Sequence, residues 1–315
     1  MADHSSRTAK RGRALSRTAV AALAAALIGT TAGAAHAGDT PAPHAKIPQT
    51  KLQAPPQARL AAPRAAAAPG AAGVIQRLVA VSGNNLYLYT PTFKGGYNPR
   101  EFANDTWGDM KAASQTDHDG DGVATGLWGW DKAGHLYSWP DGETEAIHVG
   151  GGWNMYNRVF SPGNLAGSQG YDLVARDAQG VLWLYLGYTD GRVTSRIKIG
   201  AGWGQYTQIA GVGDLTGDNT ADMVARDRNG VLWLYQGTGS YKAPFKARTQ
   251  IGKGWNNFNL LVGAGDLDSD GQVDLVGRGN DGSLWRASGT GKAVAPYKPA
   301  VKIASGGMNG YRLMF

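Results

Sequence analysis

Three acidic segments carry oxygen-bearing side chains at the spacing that a hard cation needs. They occupy residues 117–125, 214–222 and 266–274, with such side chains at loop positions 1, 3, 5 and 9. A chain that wraps around Ca²⁺ brings these positions together, and the carbonyl at position 7 adds a ligand. Gly or Asn at position 6 permits the sharp turn. The pattern predicts structural calcium as the cofactor, with the candidate ligands Asp117, Asp119, Asp121, Asp214, Thr216, Asp218, Asp222, Asp266, Asp268, Asp270 and Asp274.

The three segments differ in how complete the ligand set is. The 266–274 segment is the most complete and 214–222 comes next, whereas Thr125 replaces the last carboxylate of 117–125. A fourth copy at 164–172 lacks most of the charge and is predicted to hold no ion. The alternative is a network of Asx turns that binds no metal. An EF-hand is excluded because position 12 is never Glu, and the ligands of a filled loop would be saturated by protein and therefore not catalytic.

The acidic segments belong to a larger unit that repeats five times between residues 74 and 315. Each unit contains an alternating strand of the type Gly-Val-Leu-Trp-Leu-Tyr, and the aligned aromatics are Tyr87, Tyr137, Trp183, Trp233 and Trp285. Their separations are 50, 46, 50 and 52 residues. Period-two alternation with glycine turns indicates short strands, and four strands per unit of this length are typical of a propeller blade. The sequence predicts an all-β fold, a five-bladed β-propeller, with a linear β-solenoid as the alternative.

The two ends of the repeat region are expected to complete one blade. The region starts in the middle of a unit at Leu78, and residues 311–315 align with the strands that open other units at 206–210 and 258–262. The C-terminal strand should therefore pair into the first blade and close the ring, which removes exposed sheet edges.

The region before residue 74 has a different composition. Residues 1–37 combine a basic start, a ten-residue apolar run and Ala35-His36-Ala37, which predicts a signal peptide cleaved before Gly38 and therefore a secreted, extracellular protein with no membrane span. Residues 38–73 hold seven of the fourteen prolines and are predicted to be a disordered linker, either a spacer or a docking tail for a protein partner.

Charge and cysteine content exclude some function classes. The net charge of +7 lies entirely before residue 74, and the repeat region holds 22 basic and 22 acidic residues. A nucleic-acid partner is therefore excluded. The chain has no cysteine, so it can have neither a thiolate nucleophile nor a thiolate metal site.

The acidic loops, followed by Asp-Leu-Val-Ala-Arg-Asp and Gly-Val-Leu-Trp-Leu-Tyr, resemble the FG-GAP or VCBS repeats of integrin-like propellers. The Gly-Trp segments at 199–203, 251–258 and 303–309 resemble five-bladed tachylectin-type lectins, which implies sugar pockets between blades. Met308 and Gly204 depart from that pattern. The matching candidates for carbohydrate contact are Trp107, Trp153, Asn154, Trp203, Trp255, Asn256 and Asn309.

Three functions remain open from the sequence. The first is a multivalent lectin for a glycan or cell-surface polysaccharide, because an aromatic plate beside an amide suits a sugar. The second is a protein-interaction subunit of a larger secreted complex, such as the umbrella-type toxin particles that use lectin-like propellers. The third is a polysaccharide-acting enzyme, which is disfavoured because no nucleophile elbow is present and the repeated carboxylates are explained by the loops. In the first function the Gly-Trp tryptophans either contact sugar or fill the space between blades, whereas Trp183, Trp233 and Trp285 are expected in the core.

Overall fold

The computed structural model describes residues 73–140 and 145–315. These residues form five four-stranded antiparallel sheets, and twenty strands run in chain order. The strands of the first two sheets are β1 (Leu78–Ser82), β2 (Asn85–Tyr89), β3 (Glu101–Asn104), β4 (Met110–Thr116), β5 (Gly126–Asp131), β6 (Leu136–Trp139) and β7 (Ile147–Gly150). The next two sheets contain β8 (Tyr156–Gly163), β9 (Asp172–Asp177), β10 (Leu182–Tyr185), β11 (Ile197–Gly200), β12 (Tyr206–Gly213), β13 (Asp222–Asp227), β14 (Leu232–Tyr235) and β15 (Thr249–Gly252). The last strands are β16 (Phe258–Gly265), β17 (Asp274–Gly279), β18 (Leu284–Ala287), β19 (Val301–Ala304) and β20 (Leu313–Met314).

The strand order confirms the five-bladed propeller and its mode of closure. Blade 1 has the order β20-β1-β2-β3, and blades 2 to 5 take four consecutive strands each. In blade 1, Ala80 pairs with Met314 and Val81 with Leu313. Backbone hydrogen bonds of 2.8 and 3.0 Å join Val79 and Phe315 in both directions. The first and last strands of the repeat region therefore share one sheet, which the solenoid alternative does not provide.

The first strand of each blade lines the centre of the ring, and a short 3₁₀ turn leads into it. Four such turns, here called the Gly-Trp turns, span 153–155, 203–205, 255–257 and 308–310. Each follows a glycine in the left-handed region, with φ between 81° and 93°. The turns run from the outer strand of one blade to the inner strand of the next, so their side chains fall between blades.

Cationic side chains hold neighbouring blades together through backbone carbonyls. Arg176 donates to the carbonyls of Trp203 and Tyr206, 3.2 and 2.8 Å away, and so joins blade 3 to blade 4. Equivalent contacts are made by Arg226 to Trp255 and Phe258, by Arg278 to Met308 and Tyr311, by Arg312 to Trp107 and Met110, and by Lys111 to Tyr156. Four interfaces of the ring thus carry two such bonds each and the Lys111 interface carries one, and Lys111 and Arg312 lie at different positions in their blades from the other three cations.

The segment just before β1 replaces a missing loop. Blade 1 has no acidic loop of its own, and Ile75 forms bridges to Gly265 and to Val123 instead. These contacts join the 266–274 loop of blade 5 to the 117–125 loop of blade 2. The predicted signal peptide and all of the predicted linker except Gly73 lie outside the described residues. Within the described part, no helix has the length and hydropathy to cross a membrane.

Candidate functional site

The three acidic loops adopt the turn geometry that their sequences require. Each joins the first and second strands of a blade, at β4–β5, β12–β13 and β16–β17. Position 6 is left-handed in all three, at Gly122, Asn219 and Gly271, with φ of 90°, 62° and 82°. The first carboxylate of each loop accepts backbone N–H groups, as Asp214 does from Gly217 at 2.7 Å. The Asx-turn network is therefore present, and it coexists with carboxylate oxygens at ligand positions.

Two of the loops gather three carboxylates into a space that suits an ion. Asp117, Asp119 and Asp121 each offer an oxygen within 4.8 Å of the others, as do Asp266, Asp268 and Asp274. Among the described residues, the 214–222 loop does not form such a group. The sequence ranks 214–222 above 117–125 because its ligand set is more complete. The structure reverses that ranking, because the three carboxylates at 117–121 lie closer together.

Cationic side chains already contact two of the loops. The Arg286 guanidinium lies 2.6 Å from Asp268 and 3.5 Å from Asp274. Lys298 lies 3.1 Å from Asp270, and Lys246 lies 3.2 Å from Asp218. Leu184 and Leu234 occupy the position of Arg286 in blades 3 and 4, so this arginine is specific to the 266–274 loop. Its positive charge partly neutralises the carboxylates of the 266–274 loop, which is the most complete ligand set in the sequence.

The fourth loop uses its carboxylate as a hydrogen-bond acceptor. Asp172 is fully buried and accepts from the backbone N–H groups of Leu165, Ala166 and Gly187 and from the Ser168 hydroxyl. Burial raises its pKa to about 6, and the hydrogen bonds only partly offset that effect. The Ser168 hydroxyl also lies 2.6 Å from the Gly170 carbonyl. When Asp172 is protonated, Ser168 can donate to that carbonyl and accept a hydrogen bond from the Asp172 carboxyl.

We expect this carboxyl to make the stability of the calcium-free protein depend on pH. The raised pKa means that folded Asp172 keeps a proton between pH 3.8 and about 6, where the unfolded chain has released it. Its contribution is therefore complete below that window and is lost as the pH rises through it. Thermal unfolding from pH 4 to 7 should show a smaller loss of Tm in Asp172→Asn than in wild type. The exposed Asp190→Asn is the matched control, and an identical pH dependence in Asp172→Asn and wild type would exclude this role.

The tryptophans of the Gly-Trp turns, and Trp107 before β4, pack between blades. Trp107, Trp153 and Trp203 are 2%, 3% and 6% exposed, whereas Trp255 is half-buried. Trp153 packs 4.8 Å from the Tyr185 ring, and Trp203 packs 4.5 Å from the Tyr235 ring. A sugar needs an open ring face for stacking, and the three buried indoles have none because neighbouring rings cover them. Of these four tryptophans, Trp255 is therefore the one whose ring is exposed enough for the stacking that the resemblance implies.

The asparagines of the Gly-Trp turns lie at the surface, next to the preceding blade. Asn154, Asn256 and Asn309 are exposed, and each side-chain amide donates to a carbonyl of the hairpin turn before it. Their distances to these carbonyls are 2.9, 3.5 and 3.0 Å. The side-chain oxygen of Asn309 also accepts a hydrogen bond from the Asn259 amide.

The strand tryptophans form a repeated polar site at the outer edge of the ring, which corrects their expected place in the core. Trp183 and Trp233 are half-buried, and their indole N–H groups donate to Asp177 and Asp227 at 2.8 and 3.0 Å. A guanidinium lies 4.1 Å from each ring centroid, contributed by Arg196 and Arg248. We call these two groups, and their counterpart in blade 5, the rim sites. Each combines an aromatic ring, a carboxylate and a cation.

Blade 5 builds its rim site from different positions. Gly279 stands where the aspartate is in blades 3 and 4, and Trp285 donates instead to Ser283 at 2.8 Å. Ser283 in turn donates to Asp281, and Lys302 lies 5.0 Å from the Trp285 ring centroid. The same three chemical groups are thus restored by substitution at neighbouring positions.

Blades 1 and 2 carry variants of the same arrangement. In blade 1, Arg100 lies 4.5 Å from the Tyr87 ring centroid. In blade 2, Tyr137 lies 5.5 Å from the His148 ring, and His135 lies 3.3 Å from Asp131. Sequence reasoning found the aromatic of every rim site but missed the cation, because loops of different length separate the two residues in each blade.

The carboxylate of the blade 4 rim site is ionised at neutral pH. Burial acts to raise the pKa of Asp227, but hydrogen bonds from the Trp233 indole and from the backbone of Val231 and Asn229 outweigh it and lower that pKa. The rim therefore presents fixed negative and positive groups beside an aromatic edge.

Comparison with known proteins finds a repeat family that part of the chain resembles. Residues 214–277 match the FG-GAP-like repeat, which confirms that resemblance for blade 4 and the start of blade 5. No curated protein matches the sequence. Among solved structures the chain is similar to AofleA from Arthrobotrys oligospora, at 13% identity over 76% of this chain and 75% of that one, with a TM-score of 0.46.

A second similar structure is the BP39L lectin from Burkholderia pseudomallei, at 14% identity over 72% of this chain and 69% of that one, with a TM-score of 0.45. At these identities and scores, no ligand or site residue carries over from either protein. The chain is a five-bladed β-propeller whose residues 214–277 match the model of the FG-GAP-like repeat.

Proposed function

We propose that this protein is a secreted, non-catalytic lectin that binds glycans at several equivalent sites on the rim of the propeller. The observation that carries the proposal is the recurrence of ring, carboxylate and cation in successive blades, at Trp183, Trp233 and Trp285. In blade 5 the aspartate and the cation come from different sequence positions, yet the ring, the carboxylate and the cation are all present. A purely structural role would not require all three groups in each blade.

The chemistry of the rim sites suits a sugar better than an apolar ligand. The guanidinium covers one face of the Trp183 and Trp233 rings, so a sugar would lie beside the aromatic edge, where its hydroxyls need both donors and acceptors. Asp227 supplies acceptors and Arg248 supplies donors in one place. The exposed asparagines of the Gly-Trp turns, such as Asn154, add further polar groups at the same outer surface.

Several weak sites on one ring would act together on a repetitive surface. When one chain binds a polymer through two or more sites, the later contacts are intramolecular and avidity exceeds single-site affinity. A cell-surface polysaccharide is therefore the target class that the repetition favours.

We expect Arg248→Gln to weaken binding to an immobilised polysaccharide more than binding to its short oligosaccharide in solution. The substitution removes the cation of one rim site and leaves the others, so the loss of avidity exceeds the loss of one contact. The probe is the best ligand of the wild-type protein on a glycan array. Arg228→Gln, an exposed arginine outside the rim site, is the matched control. Equal binding by Arg248→Gln and Arg228→Gln would place the sugar elsewhere, and Trp255→Ala then tests the Gly-Trp turn.

Calcium is proposed as a structural pin of the acidic loops. The 117–121 group fits best, because three carboxylates converge there and its loop has the required left-handed turns. At 266–274 the Arg286 guanidinium competes with an ion for Asp268 and Asp274. When bound, the ion would supply charge neutralisation between strands.

We expect calcium to raise the Tm of metal-stripped protein, because an ion that binds only the folded state stabilises it by mass action. At a calcium concentration one hundred times Kd, the free energy of unfolding rises by about 2.7 kcal/mol. Asp119→Asn should reduce that shift more than Asp268→Asn does, because Arg286 already neutralises the second loop. Differential scanning calorimetry with and without calcium checks both statements. An unchanged Tm in wild type would leave the Asx-turn networks as the complete account of the loops.

A further inference from the structure

The centre of the ring encloses a cavity of about 210 Å³ with an unusual set of polar groups. Its walls come from the inner strands and are largely apolar, with Phe160, Leu260, Val262 and Leu313 among them. Three arginines line it, Arg158, Arg278 and Arg312, and no aspartate or glutamate of the described residues does. The cavity therefore carries positive charge without a compensating carboxylate.

Of the three arginines, Arg158 is the one whose two terminal nitrogens both lack an acceptor among the described residues. Arg278 and Arg312 donate to carbonyls at the blade interfaces, as described above. Arg158 makes one hydrogen bond, from Nε to the Ile209 carbonyl at 3.1 Å. The two terminal nitrogens of its guanidinium have no acceptor among the described residues. They are the pair that can bind a carboxylate in a bidentate manner.

A second donor without an acceptor lines the same cavity. Trp130 is 3% exposed, and its indole N–H is buried without a hydrogen-bond partner in the described structure. Trp130 occupies the position that Arg176, Arg226 and Arg278 hold in other blades. Lys111 makes the hydrogen bond between blades 2 and 3 in its place, so the Trp130 N–H is left without that role. A buried donor that lacks an acceptor costs free energy, and a ligand oxygen would remove that cost.

Arg158 also interrupts the five-fold repeat. The equivalent positions on the other inner strands are Ala112, Gln208, Leu260 and Leu313, none of them charged. Arg158 as a whole is half-buried, and burial together with nearby Arg176 lowers the pKa of its guanidinium to about 10, which keeps it cationic at neutral pH. A cation at one of five equivalent positions is not explained by the symmetry of the fold.

The cavity has one narrow end. Gln76, Gln115 and Ser161 line both the cavity and a space of only about 20 Å³ beyond it, beside the acidic loops. Arg158 is the third residue of β8 and lies towards the opposite end, where the Gly-Trp turns enter the inner strands. A ligand would therefore reach Arg158 from the Gly-Trp face, and its size is limited by the closed end.

We propose that the central cavity binds a small organic acid, with its carboxylate on Arg158 and the Trp130 indole N–H and its hydrocarbon body against the apolar walls. An unpaired guanidinium beside a second free donor favours an anionic oxygen acceptor, and the apolar walls around them favour a carboxylate with a hydrocarbon body over a fully hydrated inorganic ion. This site is separate from the rim sites and does not depend on glycan binding.

The test is a calorimetric titration of the whole protein with hexanoate, hexanol and inorganic phosphate. Hexanoate should bind, and the two others should bind at least tenfold more weakly, because each lacks either the charge or the hydrocarbon body. Arg158→Gln should weaken hexanoate binding by about tenfold or more. Gln208 occupies the equivalent position in the next blade, so this substitution is compatible with the fold.

Two further variants make the result specific. Trp130→Phe keeps the ring and removes the N–H, and should weaken hexanoate binding several-fold. Arg196→Gln removes a cation at the rim, and should leave it unchanged. The proposal is overturned if wild type does not bind hexanoate in the millimolar range, if phosphate binds as well as hexanoate, or if Arg158→Gln with an unchanged Tm binds like wild type.

Discussion

Removal of Tyr311–Phe315 is expected to abolish cooperative folding of the entire propeller. These residues supply the inner strand of blade 1, and Arg312 bonds blade 1 to blade 2. Burial of their large apolar side chains contributes about 1.5–3 kcal/mol each. The sum is comparable with the whole stability of a domain, about 5–15 kcal/mol. We therefore expect loss of the thermal transition by circular dichroism.

The interior contacts of this segment explain why the effect should spread. Tyr311 is buried and its hydroxyl lies 2.7 Å from that of Tyr89, while the Phe315 ring stacks 6.0 Å from Trp107 of the next blade. Loss of these contacts opens two blade interfaces and leaves β1 as a free sheet edge. Arg312→Met alone is the graded control and should lower the Tm without abolishing the transition. A truncated protein that melts like the full chain would contradict closure by β20.

Replacement of Arg226 by Met is expected to destabilise the fold by about 2–4 kcal/mol, since a buried acceptor left without a donor costs about 1–3 kcal/mol. Arg226 is 7% exposed and joins blades 4 and 5 through the carbonyls of Trp255 and Phe258. It also donates to the Thr207 hydroxyl at 3.0 Å. Met preserves much of the side-chain volume but none of the donors. Urea denaturation measures the change.

Two residues along the chain, an exposed arginine provides the matched control. Arg228→Met removes the same charge at the surface and should change stability by less than about 0.5 kcal/mol. If both variants lose the same stability, the carbonyl bonds of Arg226 do not hold the blades together. Lys111→Met should lower the free energy of unfolding less than Arg226→Met does, because Lys111 makes a single contact of 3.4 Å, to the Tyr156 carbonyl.

The fold follows from local patterns that the sequence displays directly. Period-two strands, glycine turns and a fixed repeat define four-stranded sheets, and the alignment of 311–315 with other opening strands predicts the closing pair Ala80 and Met314. Left-handed turns at Gly122, Asn219 and Gly271 were likewise predictable, because few residues tolerate that conformation.

The depth of a side chain was not predictable in the same way. Trp183 and Trp203 both follow glycine-rich turns, yet the first lies on the rim and the second between blades. Period-two alternation predicts which face of the sheet a side chain lies on. It does not predict whether the neighbouring blade covers that side chain. Arg286 illustrates a second limit, since its contact with Asp268 joins a residue of β18 to a residue of the acidic loop and depends on the shape of the blade.

The measurement that tests the account most directly counts glycan sites on the rim. The wild-type protein and the variant Arg196→Gln/Arg248→Gln/Lys302→Gln, each with a verified thermal transition, are titrated with the oligosaccharide that wild type binds best. We predict more than one equivalent site per wild-type chain and a loss of about three sites in the variant, because each substitution removes the cation beside one rim tryptophan. A folded variant with the same stoichiometry and affinity as wild type would contradict the assignment of glycan binding to the rim.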